Sequence, residues 1–110
     1  MVMKLIVAIV QDQDAPSLIE ELTENRFGVT KLSSTGGFLK AGNTTLLIGI
    51  EEENIEKVIN IVERNCKTRE ISTSLLTVSM PGDTYMPYPL EVKVGGATLF
   101  ILDVEQHIKI

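Results

Sequence analysis

At 110 residues and 44% apolar side chains, the chain is long enough for one domain with a modest core and unlike a disordered polymer in composition. Its net charge of −5 argues against long polyanions such as duplex DNA, whose binding needs clustered Lys and Arg, and leaves open only a small anion at a local site. The single Cys66 allows no internal disulfide and no thiolate cluster for a metal, which fits a reducing cytoplasm.

Lys4 to Val10 is a continuous run rich in β-branched residues, the pattern of a central strand covered on both faces. It is too short to span a membrane, and no basic segment with a cleavage site surrounds it. Gln11 to Asp14 breaks the run. Asp14 is placed to cap a helix with Pro16 in its first turn, and Leu18, Ile19 and Leu22 form that helix's apolar stripe. Glu20, Glu21 and Glu24 point outward to solvent, and Asn25 and Gly28 supply the stop.

A second strand is expected from about Phe27 to Ser34 and a third from Asn43 to Ile50. Gly49 interrupts the third, marking either a bulge or the close approach of a ligand or another backbone. Glu51 to Glu53 suit a helix N-terminus. Ile55, Val58, Ile59, Val62 and Cys66 then recur at helical spacing, with Cys66 a buried small apolar residue. A fourth strand runs from about Ile71 to Val78. Ser79 to Pro89, with three prolines from Pro81 onward, has no period and reads as a long functional loop. Leu90 to Val94 alternates cleanly, Gly95-Gly96 fits a two-residue turn, and Ala97 to Val104 is the last strand.

Between the second and third strands lies Ser34-Thr35-Gly36-Gly37-Phe38-Leu39-Lys40-Ala41-Gly42-Asn43-Thr44-Thr45. Paired glycines bring backbone N–H groups close to an approaching anion, an aromatic stacks on a base, and an Asn amide pairs with a base edge. These are the parts of a small nucleotide site. The same residues also suit a hairpin whose turn needs glycine, with Phe38 in the core. No Ser/His/Asp set, P-loop or dinucleotide fingerprint occurs, and His107 has no companions at ligand spacing. Binding fits better than catalysis, so no catalytic residue, metal site or cofactor is assigned.

The element order is β-α-β-β-α-β with an inserted β-rich segment, a ferredoxin-like α+β domain spanning residues 1–110. Ala8 to Asp14, Thr30-Lys31-Leu32, Thr35 to Leu39, Ala41 to Thr45, Gly49, Tyr88-Pro89, Glu91-Val92 and Val94 to Thr98 together resemble the PII-like cyclic di-AMP receptors over nearly the whole chain. The resemblance implies a cytoplasmic, non-enzymatic signal transduction protein and a ferredoxin-like homotrimer. Cyclic di-AMP would bind in the clefts between subunits, and a change in loop conformation would signal to a downstream protein partner. It also implies a short loop after the second strand and an extended loop or β-hairpin after the fourth. The positions it assigns to the ligand are Thr30, Gly37, Phe38, Leu39, Asn43 and Gly49. The family's arginine two residues before the threonine is absent, because Gly28 stands there. Arg26 either reaches the same phosphate or is a surface residue at the helix end. The alternatives are a trimeric PII-like adaptor that binds ATP or ADP, or one that binds no nucleotide.

Overall fold

The computed structural model describes residues 2–32, 42–74 and 89–110, with the side chains of 72–74 and 89–91 excepted. Strand β1 (Met3–Gln11) leads to helix α1 (Ala15–Glu24), strand β2 (Val29–Leu32) and strand β3 (Asn43–Glu51). A 3₁₀ turn, Glu52–Asn54, opens helix α2 (Ile55–Cys66), and β4 (Arg69–Ser74), β5 (Pro89–Val94) and β6 (Ala97–Asp103) follow. The main sheet has the order β2-β3-β1-β6, all neighbours antiparallel, while among the described residues β4 and β5 pair only with each other. This is the ferredoxin-like arrangement, with β6 as its fourth sheet strand and the β4–β5 hairpin as the insertion. Of the long loop expected between the hairpin arms, Ser79 to Tyr88 lies outside the described residues.

Alternation along the strands explains the core. Ile6, Ala8 and Val10 of β1 and Leu46, Ile48 and Ile50 of β3 are buried beneath Leu18 and Leu22 of α1 and Val58, Ile61, Val62 and Cys66 of α2. Ile61, which the expected stripe omitted, is buried with the rest. The two helices are joined at their outer edge by Glu21, whose carboxylate accepts from Arg64 and from Asn65 Nδ2 at 2.9 Å. Both contacts hold that carboxyl below the usual range, so Glu21 is not the purely solvated residue its spacing suggested.

Three other expectations need correction. β1 is central, but helices cover only one of its faces. Antiparallel partners share a face, so the register puts Leu5, Val7 and Ile9 of β1 beside Gly49, Leu47 and the buried Thr45 of β3 and beside Leu102, Phe100 and Thr98 of β6 on the opposite face. That face is open among the described residues: Phe100 is 54% exposed, Leu102 48%, and Leu5, Val7, Ile9 and Leu47 are only partly buried. Among the described residues the helices therefore account for the covering of one face only.

Gly95-Gly96 does not close a hairpin either. Both glycines have positive φ, 87° and 94°, but they carry the chain from one sheet to the other. A Cβ on Gly95 would stand 2.5 Å from the Lys67 carbonyl oxygen, so glycine is needed for close approach to the end of α2. Asp14, finally, makes no side-chain cap for α1. Its carboxylate accepts instead from Arg69 Nη2 at 2.7 Å, tying the root of the hairpin to the start of α1.

Cys66 is 1% exposed, and burial pushes its thiol up to about 11. The folded state therefore keeps the proton to higher pH than the unfolded chain, which releases it near about pH 8.5. The thiol's contribution to stability is complete below that value and is lost as pH rises towards 11, an effect on the order of 2–3 kcal/mol. Denaturation at pH 7.5 and 10.5 should show a larger alkaline loss in the wild type than in Cys66→Val. A thiol reagent at neutral pH should react only after unfolding. Prompt reaction of the native protein would contradict the burial.

Candidate functional site

At one end of β3, a cavity of about 430 Å³ opens between the end of α1, the start of β1 and the first turn of α2. Arg26, Gly28, Gly49, Glu51, Asn54 and Lys57 are among the residues that line it. The way α1 ends explains how Arg26 comes to be there. Phe27 N–H donates to the Leu22 carbonyl and Arg26 N–H to the Thr23 carbonyl, both at 2.9 Å, the paired bonds of a Schellman motif. In that motif the residue after the cap is left-handed and usually glycine. Here it is Arg26, with φ 63°, the single positive-φ residue other than glycine among the described residues. Placing a side chain there costs about 1 kcal/mol.

Gly49 is not at a bulge. The β1–β3 pairing runs unbroken from Met3↔Glu51 to Gln11↔Asn43. A Cβ built on Gly49 meets nothing within 4 Å, and the same holds for Gly28. Among the described residues none fills the open space at either position. The one carboxylate on the cavity wall among the described residues, Glu51, is held above the usual range by Glu53 beside it.

At the other end of β3, Asn43 lines two shallow depressions, one shared with Gln11 and residues 95–98, the other with Gln11, Asp12 and Gln13. The loop from Gln11 to Asp14 holds this end together. Asp12 N–H donates to the Gly42 carbonyl at 2.8 Å, and Thr44 Oγ1 donates to Asp12 Oδ1 at 2.5 Å. Gln11 Oε1 accepts from Gly95 N–H at 2.8 Å, and Asp14 receives Arg69. One short loop is thus bonded both to the start of β3 and to the root of the β4–β5 hairpin. Sequence reading missed these partners, because no local spacing links Gln11 to Gly95 or Asp14 to Arg69.

Of the residues singled out from sequence, Arg26 and Gly49 share the first cavity. Thr30 is exposed on β2, opposite Leu47, so it lies on the same open face as Gly49 and Asn43. Asn43 and Gly49 stand six residues apart, about 20 Å along the strand, and one chain does not bring them together. Gly37, Phe38 and Leu39 lie outside the described residues. Lys57 was not anticipated; its place beside Gly49 follows from how α2 packs and has no signal in local sequence. Among the described residues no group of three His, Cys, Asp or Glu is placed to hold a metal ion, and no helix is long and apolar enough to cross a membrane.

The fold is shared with solved structures. A functionally uncharacterised protein from Pediococcus pentosaceus is 43% identical, with a TM-score of 0.79 over 100% of this chain and 99% of that one. The PII protein of Arabidopsis thaliana, solved bound to citrate, is 17% identical, with a TM-score of 0.62 over 98% of this chain and 80% of that one, a likeness of fold. The family model describing cyclic-di-AMP receptors matches residues 3–110, nearly the full length, and the chain belongs to the cyclic-di-AMP receptor family.

Proposed function

We propose that this protein is a cytoplasmic, non-enzymatic receptor that binds cyclic di-AMP in clefts between the subunits of a homotrimer and relays the event to a protein partner through its loops. The observation that carries the reading is the open face of the main sheet. It presents a contiguous apolar patch (Leu5, Val7, Ile9, Leu47, Phe100, Leu102), and alongside it the positions Thr30, Asn43 and Gly49. Patches of this kind mark association surfaces. Because Asn43 and Gly49 occupy opposite ends of β3, a dinucleotide touching both is most simply met by two copies, each supplying one end. Arg26, Gly37, Phe38 and Leu39 complete the proposed contact set. The bonds from Gln11, Asp12 and Asp14 support the relay, since they join the start of β3 to the hairpin root.

A thermal-shift panel of cyclic di-AMP, ATP and ADP tests the reading. Ligand at 100 times its Kd should stabilise the protein by about 2.7 kcal/mol. A shift with cyclic di-AMP alone supports the proposal. A shift only with ATP or ADP, or with none of the three, favours the PII-like adaptor. Asn43→Ala should weaken cyclic di-AMP binding at least tenfold, because a base edge then loses its partner amide at a cost of about 1–3 kcal/mol. Calorimetry giving the wild-type affinity for that variant would remove Asn43 from the site.

A further inference from the structure

Lys57 has no assigned role, and Arg26 occupies a backbone position that suits glycine better. We propose that these two side chains form a clamp for one phosphodiester group of the ligand, and that the left-handed arginine is kept for this purpose; the proposal rests on the nucleotide reading above. Both residues line the cavity of about 430 Å³, Arg26 from the end of α1 and Lys57 from α2. Among the described residues neither has a carboxylate within ion-pairing distance, as is also true of Lys31, Lys67, Lys93 and Lys109, and of these cations Arg26 and Lys57 are the two that share this cavity. Two such cations on one cavity wall are an arrangement that an anion completes.

The rest of the wall is consistent with such an occupant. Gly28 and Gly49 line it without side chains, and among the described residues nothing lies within 4 Å of where a Cβ would stand on either. Among the described residues Glu51 is the one carboxylate on the wall, and Glu53 beside it holds its carboxyl above the usual range. Guanidinium and ammonium groups divide the work as expected: a planar fork for two phosphate oxygens and a point charge for a third. The conformation of Arg26 supplies an independent mark, since strained backbone persists where a site depends on it.

The test separates stability from binding. Unliganded melting and cyclic di-AMP calorimetry would be run on the wild type, Arg26→Gly, Arg26→Lys and Lys57→Met. Arg26→Gly should melt about 4 °C higher, because glycine relieves the left-handed residue, yet bind about 10- to 30-fold more weakly. Lys57→Met should melt like the wild type and bind roughly three- to tenfold more weakly, the smaller loss reflecting its exposure. Arg26→Lys should bind more tightly than Arg26→Gly. Wild-type affinity in both Arg26→Gly and Lys57→Met, with wild-type binding intact, overturns the clamp and leaves the receptor reading standing. A parallel fall of stability and affinity in Arg26→Gly makes Arg26 a structural residue and also overturns the clamp. A wild type that binds no cyclic di-AMP overturns the reading and the clamp together.

Discussion

Val7→Asp is expected to dissociate the proposed trimer into monomers and to abolish cyclic di-AMP binding while leaving the domain folded. Val7 sits at the middle of the open face, opposite Leu47 on one side and Phe100 on the other. Within one chain it is only partly buried, so an aspartate there keeps access to water and the helix-covered core is untouched. In an assembly packed face to face, three copies of that carboxylate would be brought into one apolar interface. Desolvating an unpaired carboxylate costs several kcal/mol, multiplied by each copy that enters the interface. Light scattering should report a single-chain mass, circular dichroism a native spectrum, and calorimetry no binding. A trimer with normal affinity would mean that association uses a different surface.

The second large effect is expected at Gly49. Replacement by valine should leave the chain as stable as the wild type or raise its stability by about 0.5–1 kcal/mol, since glycine is a weak strand former and valine a good one. Among the described residues nothing lies within 4 Å of the added Cβ, and the β1–β3 register is already regular. Binding should nevertheless fall more than a hundredfold, because on the proposed reading the side chain would enter the space the ligand takes. A binding-competent, trimeric Gly49→Val variant would show that the glycine answers to neither ligand nor neighbour.

Arg26 and Gly49 illustrate one pattern. Each is a residue that local stability would replace, at a position where the sequence departs from its own structural logic. That departure made Gly49 legible before any coordinates, since a glycine inside an otherwise good strand needs a reason. Arg26 was legible only in part. Its place after α1 can be read from Asn25 and Gly28, but its left-handed backbone depends on which residue takes the Schellman position. The ferredoxin-like order and the buried face of α2 follow from periodicity and could be read directly. What could not be read was pairing at a distance. Val94 and Ala97 flank two glycines in a way that suits a hairpin, yet β5 pairs with β4, because the approach of Gly95 to the carbonyl of Lys67 turns the chain toward the other sheet. Asp14 has the sequence context of a helix cap and is claimed instead by Arg69, fifty-five residues away. The open face was hidden for a related reason: a strand's composition reports that it will be covered, without saying by which molecule.

The position of β6 beside β1 has a consequence for how the molecule is made and how it can vary. β1 acquires β3 on one edge early in the chain, but its other edge stays unpaired until Ala97–Asp103 has been synthesised. Closure of the sheet is therefore a long-range event, of the kind that places folding on the slower, millisecond-to-second side of small domains. Everything between α2 and β6 is excursion from the standpoint of that closure. The excursion is fastened at its root, where Asp14 holds Arg69 and Gln11 holds Gly95. Beyond the root, doubling the length of such a loop adds only about 0.6 kcal/mol of closure entropy. Lengthening or shortening the hairpin tip is thus a cheap change for this fold, while a single residue inserted at Gly95-Gly96 would shift β6 by one position and turn its apolar face over. Variation among descendants of this architecture should accumulate in the length of the hairpin and be nearly absent from its root.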